Sequence, residues 1–352
     1  MSACRVAFAI PGEITTQTGG YLYDSHLLRG LREQGRDVVV ITLGSSYPDP
    51  TFEDATDAAE KLSAVPPDCP VIIDGLAFGV LNPAALAAMS APVVALVHHP
   101  LALEGALDAP RREHLLETER ANLRRAAHVV VTSPSTAGLL VSDYGVPSEH
   151  ITIARPGIDQ VLQTSEPVDP PLILSVGIQL PRKGHDVLLR ALATLVHLPW
   201  HAIIAGQVLD EAYGAHLVQL RDELGLGARV SLAGQVSDVE LALLYRQASV
   251  FALATRFEGY GMVFGEAMAH GLPIVSCNTG AVPDTVASGA GFLVEPDDSD
   301  GFASALARLL QDDTLRASMA EESARAGTLL DSWSDTAARV GAVLDHVGSC
   351  KD

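Results

Sequence analysis

Short apolar runs alternate with amphipathic stretches along the whole chain, and this alternation limits the fold more than any other feature. In the first half, runs at Arg5–Ile10, Asp37–Ile41, Val71–Asp74, Pro92–Val97, His128–Thr132 and His150–Ile153 read as strands. The second half repeats the grammar at Leu172–Val176, His201–Ala205, Arg229–Leu232, Val250–Leu253, Pro273–Ser276 and Gly291–Val294. Helical patterns lie between them, the first over Tyr21–Glu33 with Gly35 as its stop. Strands separated by helices must cross over, so they pair in parallel and both sheet faces are covered. A polar window from Gln160 to Pro171, with prolines at 167, 170 and 171, separates the halves. The expected architecture is α/β: two doubly wound Rossmann-like domains, residues 1–165 and 171–330, followed by a helix within residues 331–352. Ligands of such sheets bind beyond the carboxyl ends of the strands, which places the expected site in a cleft between the two domains.

Composition removes several function classes. The formal charge of −20 opposes nucleic acid, and it leaves stable docking on an anionic membrane unexpected. No run of about twenty apolar residues occurs, so no transmembrane helix is expected. The apolar start Cys4–Ile10 is short and poorly flanked for a signal peptide and reads as a first buried strand. Cys4, Cys69, Cys277 and Cys350 are scattered without metal spacing, which suits reduced thiols and a cytoplasmic protein. Arg111, Arg112, Arg120, Arg124 and Arg125 are interleaved with Glu113, Glu117 and Glu119, and read as a salt-bridged amphipathic helix.

Chemistry concentrates in Glu258-Gly-Tyr-Gly-Met-Val-Phe-Gly-Glu266, followed by Ala267-Met-Ala-His-Gly271-Leu-Pro273. Gly259 and Gly261 suit a tight turn, and Met262, Val263, Ala267 and Met268 fall at helical spacing. Gly271 ends that helix, and Pro273 opens a strand. Glu258 is thus expected at the mouth of a helix, with Glu266 two turns inside it. Free amides at a helix start attract anions or hydroxyl oxygens, so the set suits a ligand with phosphates and sugar hydroxyls. A second candidate is Pro181-Arg182-Lys183-Gly184, a strand-to-helix loop with two adjacent cations that suit phosphate. In the first half, Thr15-Thr-Gln-Thr-Gly19-Gly20-Tyr21 joins a strand to a helix but lacks the dinucleotide fingerprint, so no nicotinamide cofactor is expected. His98 and His99 close an apolar strand before Pro100, a place from which a histidine can address a ligand.

The Glu258–Glu266 run resembles the signature of retaining glycosyltransferases of family four, whose paired glutamates have this separation. The likeness extends over nearly the full length and is stronger in the second half. It implies the GT-B fold, with a C-terminal helix that crosses back to the first domain, and a nucleotide-diphosphate sugar as donor substrate. It implies ribose contacts for Glu266, and sugar and phosphate contacts for Glu258 with Tyr260, Gly261, Met262 and Val263. Arg182 and Lys183 would neutralise the donor diphosphate. Many members have arginine directly after the glycine where this chain has Ile178, and the Pro-Arg-Lys variant of the loop fits instead. Gly19 and Gly20 would approach the donor phosphates and the acceptor, His98 a sugar hydroxyl, and Gly206 and Val236 the nucleotide. The acceptor would be a small molecule or a glycan. Ser133 resembles a family serine that opens a helix.

The resemblance implies a metal-independent hexosyltransferase-like enzyme with no cofactor beyond the donor. A nucleotide-sugar epimerase or hydrolase on the same fold, or a non-catalytic nucleotide-sugar-binding protein, needs the same residues. Asp298-Ser299-Asp300 spells the metal motif of a different glycosyltransferase fold, but its place before Gly301–Leu306 reads as a helix cap.

Overall fold

A computed structural model describes residues 5–16, 18–105, 107–159 and 165–349. Cys4, Gln17, residues 160–164 of the polar window, and Cys350 lie outside the described residues. Two compact units form, one from residues 1–157 with 331–352, the other from residues 158–330. Each contains a six-stranded parallel sheet with flanking helices. Every strand expected from the sequence is present.

In the first unit the strands are β1 (Arg5–Pro11), β2 (Asp37–Leu43), β3 (Val71–Asp74), β4 (Val93–Val97), β5 (His128–Val131) and β6 (Ile151–Ile153), in the order β2-β1-β3-β4-β5-β6. Strands β1 and β2 run one or two residues beyond the sequence reading, because parallel pairing continues to Pro11 opposite Leu43. The chain reverses direction across the sheet between β1 and β3. That switch point leaves a crevice at the carboxyl ends of the strands. The closing helix, Trp333–Ser349, packs against the helix Gly19–Glu33. Trp333 stacks on His26 at 4.1 Å between ring centroids, and Arg36 pairs with Asp345 at 2.8 Å.

In the second unit the strands are β7 (Leu172–Val176), β8 (His201–Ala205), β9 (Val230–Gly234), β10 (Val250–Leu253), β11 (Ile274–Cys277) and β12 (Gly291–Val294), in the order β12-β11-β10-β7-β8-β9. Successive strand residues enter different cores: Ile173, Ala252 and Val275 face one, while Leu174, Phe251 and Ile274 face the other. That period of two with both faces buried explains why these strands read as unbroken apolar runs. Here the switch point falls between β7 and β10.

Two expectations change in detail, and the helix-cap reading of Asp298-Ser299-Asp300 holds with one residue as the cap. Glu266 is the fifth residue of the helix Met262–Ala269, little more than one turn in, because Gly261 caps the helix and the turn before it takes no helical residues. In Asp298-Ser299-Asp300 the cap is Asp298, whose carboxylate accepts from Gly301 N at 2.8 Å, and Asp300 lies inside the first turn. The arginine-rich helix Ala109–Leu123 finds partners off its own surface. Arg111 pairs with Asp49, Arg120 donates to the Asp143 carbonyl, and Glu119 is buried and accepts from Leu101 N. Cys69 and Cys277 are buried free thiols.

Candidate functional site

The second unit gathers its charged candidates at its switch point, in the loops after β7 and β10. Pro181–Lys183 forms a single tight turn, and left-handed Gly184 hands it to the helix His185–Thr194. The turn is tied to the other loop by its own carbonyl groups: Arg182 O accepts from Arg256 N at 2.8 Å and lies 3.1 Å from Thr255 Oγ1. Arg256 anchors the same turn from outside, donating to Pro181 O and pairing with Asp186 at 2.9 Å and Asp297 at 2.7 Å.

These ties bring the two cations onto Glu258, which is only 5% exposed. Lys183 Nζ lies 2.7 Å from Glu258 Oε1, and Arg182 Nη1 lies 3.7 Å from Oε2 and donates to Phe257 O at 3.1 Å. Thr255 Oγ1 is 2.9 Å from the same carboxylate. Burial on its own would raise the Glu258 pKa, but Lys183, Arg182 and the hydrogen bonds outweigh it and hold the group below its ordinary value. A buried anion between two cations is therefore built into the loop pair.

Beyond Glu258 the chain turns at Tyr260 and enters the helix Met262–Ala269 through Gly261, at φ +85°. A side chain at Gly261 would stand 2.5 Å from the Phe264 ring, so only glycine makes this turn. Glu266 accepts from Tyr245 at 2.7 Å, and the Tyr245 ring stacks on His270 at 4.9 Å. Burial raises the Glu266 pKa, with Tyr245 opposing the shift. Gly206 follows β8, and a Cβ there would fall 1.9 Å from Gly177 O, which the tight approach of these loops forbids. Val236 lies partly exposed in the loop from β9 to the helix Asp238–Gln247.

In the first unit, Gly19 and Gly20 are the opening residues of the helix Gly19–Glu33. A Cβ on Gly19 would meet nothing within 4 Å, and one on Gly20 would touch His98 Cδ2 at 3.4 Å. His98 follows β4 and turns toward Asp24 and Asp74, whereas His99 turns away to Glu104 at 2.5 Å. Ser133 caps the helix Pro134–Ser142, accepting from Thr136 N at 3.0 Å.

The structure thus joins Arg182, Lys183 and Glu258 in one cluster, and sets Tyr260, Gly261, Met262, Val263 and Glu266 on one turn and helix. Sequence reasoning missed Thr255, Arg256 with Asp186, Tyr245, Asp24 and Asp74. Asp24 carried a visible signal: it interrupts the buried stripe Tyr23, Leu27, Leu28, Leu31 with a charge. Asp74 ends a fully buried strand with a carboxylate. Tyr245 and Arg256 gave none, since their partners are 21 and 70 residues away.

Residues 159–326 match the family "Glycosyl transferases group 1", and residues 25–161 match "Glycosyltransferase Family 4". Together these two models, both of glycosyltransferases, span residues 25–326, and the two six-stranded parallel sheets have the GT-B architecture. Among its relatives, the MMP alpha-(1->4)-mannosyltransferase of Mycolicibacterium hassiacum is 28% identical, over 87% of this chain and 77% of that protein. Mannosylfructose-phosphate synthase of Agrobacterium fabrum is 26% identical over 62% of this chain, and the match spans about half of that protein, 52%. A D-inositol 3-phosphate glycosyltransferase of Mycolicibacterium paratuberculosis is 29% identical, over 70% of this chain and 59% of its own length. Two solved structures share the fold end to end. Sucrose-phosphate synthase from Thermosynechococcus elongatus has a TM-score of 0.81 at 21% identity, covering 97% of this chain and 98% of that one. The Anabaena protein HepE in complex with UDP-glucose has a TM-score of 0.78 at 19% identity, covering 97% and 99%.

Proposed function

We propose that this chain moves a sugar from a nucleotide-diphosphate donor to a small-molecule or glycan acceptor, with retention of configuration and without a metal ion. One observation carries the reading: a buried Lys183–Glu258–Arg182 cluster at a sheet switch point, beside a helix start with no side-chain cap. A diphosphate gains negative charge on its leaving oxygen as the glycosidic bond breaks. Fixed cations in a desolvated loop stabilise that charge more than they stabilise the bound ground state. In this reading the leaving phosphate takes the acceptor proton on the same face of the sugar, so no carboxylate nucleophile pair is required. Glu266 holds the ribose hydroxyls, and Gly206 and Val236 flank the nucleotide. His98 donates to a sugar hydroxyl, with Gly19 and Gly20 leaving room beside it. Among the described residues no helix is long and apolar enough to cross a membrane.

The test is incubation of the purified chain with UDP-glucose, GDP-mannose and ADP-glucose, with and without acceptors. Hexose phosphates and inositol phosphate head the acceptor panel, because two of the relatives carry such acceptors or products in their names. Donor consumption that depends on acceptor supports the proposal. Consumption without acceptor means a hydrolase or epimerase, and binding without turnover means a sugar-nucleotide-binding protein.

Metal independence has its own expected result. Activity survives excess EDTA, because Arg182, Lys183 and helix amides fill the electrostatic role that a divalent ion plays elsewhere. Asp298→Ala lowers stability by about 1 kcal/mol through the lost cap and leaves the rate unchanged. Asp300→Ala changes neither. Full loss of activity in EDTA, restored by manganese, would return the aspartates to contention.

A further inference from the structure

The first unit contains a buried ionic trio whose carboxylates have no part in the transfer chemistry above. Asp24 from the helix Gly19–Glu33 and Asp74 at the end of β3 both address one nitrogen, Nε2 of His98, at 3.2 and 3.4 Å. Asp24 is fully buried and Asp74 is 2% exposed. Asp74 is fixed by its other oxygen, which accepts from Leu76 N at 3.0 Å and caps a short helix. The imidazole stands edge-on to Tyr23 at 5.1 Å, and the Tyr23 hydroxyl donates to Ala154 O at 2.9 Å, so the ring has little freedom.

Two buried carboxylates beside a neutral imidazole would leave uncompensated charge, which burial makes costly. A cationic ring removes that cost. Burial by itself lowers the His98 pKa, but Asp24 and Asp74 outweigh it and hold it above its ordinary value. Asp24 in turn is pushed up by burial and by the charge of Asp74. Among the described residues, the other groups that bear on the trio are already paired. Tyr21 donates to Pro11 O, Tyr23 is committed to Ala154, and Arg339 of the closing helix is paired with Asp331.

We propose that Asp24 and Asp74 are positioning residues that turn the His98 Nε2–H inward and keep the ring an imidazolium, so that its Nδ1–H is a fixed donor to a substrate oxygen. The inference rests on the sugar-facing role assigned to His98 above. It gives that residue a permanent charge at neutral pH, suited to a sugar hydroxyl or an anionic oxygen.

The test combines pH profiles with the His98 ring signals in nitrogen-detected NMR, on the full chain. Wild type shows an imidazolium at pH 8 and no histidine ionisation in kcat/KM between pH 6 and about 9. In Asp24→Asn/Asp74→Asn the His98 ionisation returns to about pH 6.5 or below. Activity of that variant then falls at least tenfold as pH rises through the new ionisation, and it recovers in acid. A neutral His98 ring in wild type at pH 8 overturns the proposal without any variant, so a variant that fails to fold does not shelter it. An unchanged pH profile and an imidazolium in the double variant, with His98→Ala impaired, also overturn it while leaving the role of His98 intact. Full activity in His98→Ala overturns that role instead, and the ring signals still report on the carboxylates. Stoichiometric metal in the purified chain, lost in His98→Ala, would replace the proton with a cation and overturn the proposal.

Discussion

Lys183→Ala is expected to lower turnover by about a hundredfold while weakening binding of the free nucleoside far less. The reason is where the charge builds. A nucleoside has no diphosphate, whereas the leaving diphosphate gains charge only as the bond breaks. The same substitution also disturbs the fold, and the two effects must be separated. Glu258 keeps its burial but loses the cation at 2.7 Å, leaving Arg182 at 3.7 Å. Removing one partner of a buried pair costs about 3–5 kcal/mol, and the remaining arginine places this case at the lower end. The pH dependence has a definite sign. The Glu258 pKa is depressed in the folded state, so its contribution is present above the ordinary glutamate pKa and is lost as pH falls through the depressed value. Lys183→Ala removes most of that depression, so the stability gap between variant and wild type is widest near neutrality and closes in acid. Adding Glu258→Gln to Lys183→Ala restores stability without restoring rate, read by urea denaturation and by single-turnover kinetics. If the folded fraction of Lys183→Ala turns over at the wild-type rate, Lys183 is a structural partner of Glu258 and nothing more.

That entanglement of catalysis and folding is also what the sequence concealed. The strands were legible because both faces of each central strand are buried, which leaves continuous apolar runs such as Val93–Val97 and Val250–Leu253. The helix start at Gly261 and the cap before Gly301 were legible because turn and cap chemistry is local. Contacts between loops were not. Arg182 and Glu258 lie far apart in the chain, and only the order β10-β7 in the sheet makes their loops neighbours. Once β7 and β10 pair, Arg256 has Asp186 within reach and the Pro181–Lys183 turn becomes rigid. The same holds in the first unit. Asp24 was visible as a charge out of place on an apolar stripe, but its partner His98 becomes adjacent only through the crossovers that set β3 beside β1 and β4 beside β3. Sequence pattern therefore marks the candidate loops, and sheet order decides which charges they share.

The helix Met262–Ala269 gives the other large effect. Glu266→Ala is expected to weaken nucleotide binding by about tenfold or more, at roughly 1.5–3 kcal/mol for each hydrogen bond to a charged carboxylate. Glu266 Oε2, on the helix that follows the Glu258 turn, accepts from Tyr245. Tyr245 is itself braced between His270 and Phe251, with ring centroids at 4.9 and 6.1 Å, so it holds the acid in one rotamer. Tyr245→Phe should therefore weaken nucleotide binding as well, though less, because the acid remains and loses only its brace. Burial raises the Glu266 pKa, so the loss of affinity on acidification begins at a higher pH than an ordinary glutamate would give. Titration calorimetry with a ribonucleotide and its 2′,3′-dideoxy form separates contact from indirect effects. If Glu266 holds the ribose, the wild type discriminates between the two ligands by at least tenfold, and Glu266→Ala binds both equally poorly. Equal discrimination by wild type and variant would show that Glu266 acts through Tyr245 and the helix, away from the ribose.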